Sequence, residues 1–335
     1  MVTAATAPHT IIGRKIIGAL TLALCVALLP VSATAQDDYP NRLIKVIVPF
    51  PAGTAVDVVT RMVADKLSAR WGQAIIIENR LGATGNIGAA IAATADPDGY
   101  TLLASAPPPL AINQSLYPNL NFDAAAFVPV SLMTEVPNIL VVNPAVPAKT
   151  LQELIALSKA KSDALTYGST GPGGTPQLTM EMLKLMSGVK LRDIPYRRGV
   201  APALIDLLAG HIDAMFVNTS DAIENVRSGK FRALAVTSRQ RLPELPDVPT
   251  VAESYPGFNS TTWFAMMAPP KTPQVIADKL SAAIAEILKS PDVTKVLQER
   301  SFTVMAKSPD GTGKFIRTEI ERWRDVIVKA GIKAE

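Results

Sequence analysis

Short runs rich in Val and Ile alternate along the chain with longer segments whose apolar positions recur at helical spacing. That is the pattern of βαβ units, so an α/β fold with a mixed, mostly parallel sheet flanked by helices is expected. Strands are predicted at Leu43–Val48, Ile75–Glu78, Thr101–Ser105, Ile139–Val142, Leu165–Ser169, Ile212–Val217 and Ala233–Thr237. The first strand runs into a helix that sets Val59, Met62, Val63 and Leu67 on one face and Arg61, Asp65, Lys66 and Arg70 on the other. Around Ala201–Ala209, Pro202 suits a first helical turn, Leu204, Leu207 and Leu208 form an apolar face, and Gly210 suits a left-handed stop. The chain closes with a helix whose Ile316, Ile320, Trp323 and Ile327 share a face.

No polar linker divides the chain, which predicts two domains joined by extended strands. The expected crossings are Glu135–Val142 and Asn259–Met267. One domain would comprise residues 36–138 and 262–335, and the other, residues 139–261, would be inserted between its halves.

The N-terminal region reads differently. Arg14 and Lys15 precede an uncharged apolar run, Ile16–Leu29, followed by Pro30 and the small-residue pattern Ala33-Thr34-Ala35. The run is shorter than the roughly 20 residues a spanning helix needs, and its flanks are those of a cleavable export signal. Cleavage after Ala35 is expected, leaving about 300 residues outside the inner membrane, room for two domains. A lipid anchor at Cys25 would place the bulky Leu24 where a small residue is wanted.

Export and composition narrow the chemistry. Cys25 is the only cysteine and lies inside the signal, so the mature chain has no thiol, disulfide or cysteine metal ligand. The whole chain has 33 basic and 29 acidic residues; losing the two basic signal residues leaves an excess of about two, no electrostatic footprint for nucleic acid. His211 is the single mature histidine and sits at a helix-to-strand corner, where a structural or exposed role is expected. Metal and catalytic sites are therefore expected to be absent, and no cofactor is implied.

Three loops, each between a strand and a helix, stand out: Pro49–Asp57 (PFPAGTAVD), Gly168–Pro176 (GSTGPGGTP) and Val217–Asp221 (VNTSD). Such loops lie at the carboxyl ends of strands, where open α/β sheets bind ligands and helix N-termini offer unpaired N–H groups to anions. Gly168, Gly173 and Thr175 have P-loop spacing, but Gly174 occupies the lysine position. Gly82, Gly85 and Gly88 miss the dinucleotide fingerprint by one residue and read as a tight turn into a helix. Thr54 and Asp57 have capping-box spacing, Asp57 being mainly architectural; Thr175 and Pro176 read as N-cap and first helical residue. Arg197 and Arg198 are open to two readings, a second anion contact or a solvated pair.

The ordered motifs PFPAGTAVD, ENRLGATGNIGA (Glu78–Ala89), PDGYTLL (Pro97–Leu103), AINQSLY (Ala111–Tyr117), PNILVVNPAVPAKT (Pro137–Thr150), APALIDLLAGHID (Ala201–Asp213), RALAVTS (Arg232–Ser238) and LPDVPTVAE (Leu245–Glu253) closely resemble the Bug-type solute receptors of tripartite tricarboxylate transporters. The resemblance covers essentially the whole mature chain. It implies a monomeric, two-domain periplasmic binding protein of the type II, Venus-flytrap kind, without enzymatic activity, partnered by two integral-membrane subunits. It implies a small carboxylate held in the cleft by backbone groups and waters. Carried over by position, the ligand-binding residues are Phe50, Ala52, Gly53, Thr54, Asp57, Ser105, Ala106, Ser169, Thr170, Gly171, Gly174, Thr175 and Asn218.

The chain departs from the family pattern at Ala52, Thr54, Ala55, Val56, Leu110, Pro172, Gly174 and Gln177, and Pro107, Pro108 and Pro109 stiffen one wall. Side-chain hydrogen-bonding groups are lost at these positions. A ligand with a larger apolar body than citrate or an amino acid is therefore expected, an aromatic or aliphatic mono- or dicarboxylate. Two rival functions use the same residues: a ligand-presenting co-sensor for a membrane sensor kinase, and a secreted hydrolase with Ser169 as nucleophile.

Overall fold

The strand Val128–Val142 runs through the centre of a ten-stranded sheet and organises everything around it. The computed structural model describes residues 1–5, 39–160 and 165–333, and Pro40–Glu335 forms one unit that holds all ten strands. The expected export signal lies outside the described residues.

The strands are β1 (Ile44–Val48), β2 (Ile75–Asn79), β3 (Thr101–Ser105), β4 (Val128–Val142), β5 (Thr166–Ser169), β6 (Arg192–Pro195), β7 (Ala214–Asn218), β8 (Arg232–Val236), β9 (Thr261–Ala268) and β10 (Thr303–Lys307). The helices are α1 (Ala55–Trp71), α2 (Asn86–Ala93), α3 (Leu151–Ala160), α4 (Thr175–Ser187), α5 (Val200–Ala209), α6 (Thr219–Arg227), α7 (Gln274–Lys289), α8 (Pro291–Glu299) and α9 (Pro309–Ala330). The order across the sheet is β2-β1-β3-β9-β4-β7-β5-β6, with β8 and β10 also paired to β4. Its flanks, β2-β1-β3 and β7-β5-β6, are parallel, whereas every pairing of β4 and β9 is antiparallel.

The first part of β4 pairs with β9 and β10 up to Pro137↔Thr261, and the second part pairs with β7 and β8 from Asn138↔Asn218 onward. The sequence placed a strand at Ile139–Val142 and an extended crossing from Glu135, whereas the strand begins at Val128 and contains Pro129 and Pro137. The register shift between Pro129 and Ser131 absorbs the first proline, and the second falls where β4 changes partners.

Period-2 alternation explains the second part. Leu140, Val142, Ala214 and Phe216 join one buried cluster with Leu154, Tyr167 and Leu183, while Ile139, Val141, Met215 and Val217 join another with Leu207 and Ile223. The strands are thus covered on both faces, which is why they read as continuous apolar runs. In the first part, Ile47, Leu103, Trp263 and Ala265 pack with Ile316, Trp323 and Ile327 of α9, the face foreseen from the spacing. Trp263 and Trp323 both donate their indole N–H to Glu319 Oε2, at 2.9 and 3.1 Å, so both buried rings keep a polar partner.

The partner change on β4 is polar and fully buried. Asn138 N–H donates to Thr237 Oγ1 (2.8 Å), Thr237 N–H to the Asn138 carbonyl (2.9 Å), and the Thr179 and Ser260 hydroxyls lie 2.6 Å apart. Asn138, Thr179, Thr237 and Ser260 are each wholly buried. Hydrogen bonds between buried polar groups therefore join the two parts of β4 to their neighbours here.

Candidate functional site

A cleft of about 760 Å³ opens along the carboxyl ends of the strands. Its walls come from the β1–α1 loop, the Leu81–Gly85 turn, the segment after β3, the β5–α4 loop, Arg197–Val200, the start of α6, and Thr262 and Phe264 of β9. The three loops singled out from sequence all reach it.

The β1–α1 wall is held by a saturated carboxylate. Asp57, buried in the first turn of α1, accepts from Gly53 N–H (2.8 Å), from Arg61 Nε and Nη2 (2.9 and 3.0 Å) and from Asn79 Nδ2 (2.9 Å). Asn79 Nδ2 also donates to the Phe50 carbonyl at 2.9 Å. Burial pushes the Asp57 pKa up, but Arg61, the Gly53 amide and Asn79 outweigh it and hold the group below its ordinary range. The capping box suggested by Thr54 and Asp57 does not form: Thr54 Oγ1 donates back to the Pro51 carbonyl (2.7 Å) and makes no cap bond. Ala55 and Val56 line the cleft, and no protein acceptor meets their N–H groups among the described residues.

The β5–α4 wall is built from glycine. Gly171 N–H donates to Ser169 Oγ (3.1 Å), Gly173 N–H to Gln177 Oε1 (3.2 Å) and Gly174 N–H to the Gly171 carbonyl (3.2 Å). Gly174, not Thr175, is the N-cap of α4, one residue earlier than the sequence suggested. Thr175 lines the cleft, and its N–H has no protein acceptor among the described residues. Gly173, at φ +82°, sits so close to the segment after β3 that a Cβ there would come within 2.6 Å of Leu116 Cδ1. Across the cleft, Gly88 lets α2 settle onto the β1–α1 loop, since a Cβ would lie 2.8 Å from both the Arg80 carbonyl oxygen and Pro49 Cβ. That close approach accounts for the GATGNIG run without a nucleotide.

Of the residues expected to bind ligand, Phe50, Thr54, Ala106, Thr170, Gly171, Gly174, Thr175 and Asn218 line the cleft. Ala52, Gly53, Asp57, Ser105 and Ser169 do not. Gly53 is exposed with its N–H turned to Asp57, and Ser105, wholly buried, donates to the Ala106 carbonyl at 3.1 Å. Residues that sequence reasoning did not assign to the site include Leu81, Thr84, Tyr117, Asp221, Thr262 and Phe264. Asp221 carried a signal as the last residue of the VNTSD loop, and the others lay in motifs or a crossing strand that were not read as cleft wall. Arg197 and Arg198 are exposed and line the cleft. His211 is exposed, lies outside the lining and sits 3.2 Å from Asp206 Oδ1.

Asp221 contrasts with Asp57. Burial raises its pKa to about 6, against an amide and a hydroxyl beside it that favour the charge. Asn218 Nδ2 reaches it at 3.5 Å.

The family model for the tripartite tricarboxylate transporter family receptor matches residues 59–332. Protein BugT of Bordetella pertussis is 40% identical over 307 residues, 91% of this chain and 93% of that protein. The structure of Rpa4515 from R. palustris with adipate is similar at 35% identity and a TM-score of 0.84, over 88% of this chain and 99% of the other. That of the periplasmic binding protein BugD is similar at 33% identity and a TM-score of 0.81, over 89% and 100%. The fold is thus the two-domain α/β fold of periplasmic binding proteins, and the relatives are solute-binding receptors, not enzymes.

Proposed function

The chain belongs to the tripartite tricarboxylate transporter receptor family, and we propose that it is a periplasmic receptor that captures a small carboxylate with a sizeable apolar body and delivers it to a tripartite transporter. The observation that carries this reading is the cleft itself. Pro49, Phe50, Val56, Leu81, Pro108 and Phe264 give it an apolar interior, while Ala55, Val56 and Thr175 bring unpaired N–H groups at two helix N-termini. A helix N-terminus carries partial positive charge, and each hydrogen bond to a charged group contributes about 1.5–3 kcal/mol. A few such bonds offset much of the cost of removing a carboxylate from water. The adipate bound to a relative of 35% identity supports an aliphatic acid.

In this reading the domains are residues 36–138 with 262–335 and residues 139–261, the export signal is cleaved after Ala35, and the monomer closes by a hinge motion about the polar joint at Asn138, Thr237 and Ser260. The closed form docks on two integral-membrane subunits. Asp57 and Asn79 act as positioning residues, keeping the first loop in place while its helix offers amides.

The test is a thermal-shift screen of the mature chain against carboxylic acids, followed by calorimetry on the best ligand. Gly174→Val is expected to weaken that binding at least tenfold, because its Cβ would sit 2.1 Å from Thr170 Oγ1 and displace the loop. Unchanged affinity in this variant refutes the site. Tight citrate binding with none of adipate-like or benzoate-like acids refutes the apolar-body class.

A further inference from the structure

Thr84 is an unusual residue for the backbone it occupies. In the turn before α2, Gly82, Ala83, Thr84 and Gly85 all have positive φ, and Thr84 lies at φ 51°, ψ 40°. Glycine takes this conformation freely, whereas the left-handed region crowds the Cβ of any other residue, and a β-branched residue there is an outlier. Strain of this kind persists only where the surroundings enforce it, and it gathers at ligand sites. Asn113 enforces it here. That side chain is wholly buried, and its Nδ2 donates to the Thr84 carbonyl at 3.1 Å and to Asn86 Oδ1 at 2.6 Å. On the other flank the turn closes on the first loop, since a Cβ on Gly85 would lie 3.2 Å from Pro109 Cγ and 3.3 Å from Phe50 Cζ.

The side chain that causes the strain returns no hydrogen bond to the fold. Thr84 is half-buried and lines the cleft, and its hydroxyl meets no protein group among the described residues. It differs in this from the unpaired hydroxyls of Thr134 and Thr262, which are enclosed beyond the reach of any ligand. Side-chain donors are scarce beside it, because Leu81, Gly82 and Ala83 of the same turn and the neighbouring Phe50 and Pro108 offer none. Resting on the carboxylate-receptor reading, we propose that the Thr84 hydroxyl donates a hydrogen bond to an oxygen of the bound acid, with Asn113 as the positioning residue that holds the strained turn. Donation to an ionised oxygen makes a short, charge-assisted bond, stronger than one between neutral groups.

The experiment is calorimetry at pH 7.5 on the mature chain with hexanoate, adipate and benzoate, set beside urea unfolding. Thr84→Val keeps the branched shape and removes only the hydroxyl. It should bind the best of these acids at least about tenfold more weakly, the size of one hydrogen bond to a charged group, with its unfolding midpoint unchanged. Thr84→Ser restores the hydroxyl and should bind within about threefold of the wild type. Thr84→Gly relieves the strain, so it should unfold at a urea concentration no lower than the wild type while losing affinity as the valine variant does. A merely structural threonine would not show that split, and the glycine variant gives the readout even if the valine variant folds poorly. Wild-type affinity in the valine or the glycine variant overturns the assignment, and so does a serine variant as weak as the valine one. If none of the acids binds the wild type, the carboxylate reading itself fails and the assignment falls with it.

Discussion

Asp57 and Asp221 hold the same place in their helices, the third residue of α1 and of α6, but only Asp221 lines the cleft. Their surroundings send them in opposite directions. Asp57 has an arginine, an amide N–H and an asparagine on its oxygens and lies below the ordinary carboxylate range. Asp221 has an asparagine amide at 3.5 Å and a serine hydroxyl beside it, and burial still pushes it up to about 6. A helix start alone does not decide what an acidic residue there does; the donors that reach it do. One carboxylate is complete and holds a wall in place, and the other is incomplete and faces the space where a ligand goes.

The largest expected effect follows from the complete one. Asp57→Ala leaves the Gly53 N–H and one Asn79 donor without their acceptor and frees Arg61, so it should cost about 2–4 kcal/mol in urea unfolding and loosen the whole β1–α1 loop. The pH dependence has a definite sign. A lowered folded pKa means that the stabilisation is present above the unfolded value of 3.8 and is lost as the pH falls below it toward the folded value. The wild-type protein should therefore lose stability at acid pH more steeply than Asp57→Ala. Equal acid limbs for the two proteins would show that the network contributes nothing.

Asp221 gives the mirror image with a smaller size. Its folded pKa is raised, so its favourable contribution is present below 3.8 and is lost as the pH rises to about 6. At pH 7.5 the ionised group is a cost that Asp221→Asn removes, and the variant should gain about 1–2 kcal/mol, a figure reduced because the side chain is only half-buried. At pH 4 the two proteins should be nearly equal. A variant more stable than the wild type is the outcome expected of a residue that is not kept for the fold. Destabilisation at pH 7.5 would mean that Asp221 serves the fold.

How much of this contrast was legible in the sequence depends on how local its causes are. The strand–loop–helix placement of all three loops followed from hydrophobic periodicity, and so did the buried face of α9, because both are short-range patterns. Thr54 and Asp57 invited a capping box, but Asn79, on β2, supplied a donor from a distant part of the chain and Thr54 turned back to Pro51. β6 and β10, short and half-exposed, gave no long apolar run to read. The first half of β4 was hidden by two prolines that the sheet absorbs at a register shift and at a change of partner. Thr262 was legible as part of a crossing strand but not as a cleft residue, since its hydroxyl becomes an orphan only when β9 lies against β4. Partners contributed by remote strands are what a linear reading lacks.

A third aspartate sharpens the comparison by showing what exposure does. Asp206, at a surface corner, accepts from the Tyr196 hydroxyl at 2.6 Å and lies 3.2 Å from His211 Nδ1, and these contacts lower its pKa. It thus resembles Asp57 in direction. The His211 side chain, however, is 72% exposed, so its contact with Asp206 is screened by water and salt and contributes little to stability. The His211 backbone N–H keeps its own bond to the Asp206 carbonyl at 2.9 Å whatever the side chain. His211→Ala should therefore leave the urea unfolding midpoint essentially unchanged, and ligand affinity should not change, since the residue lies outside the cleft wall. A clear loss of ligand affinity on removing this imidazole would mean that charge outside the cleft is felt inside it, and the division between a completed and a waiting carboxylate could then no longer be drawn from local contacts alone.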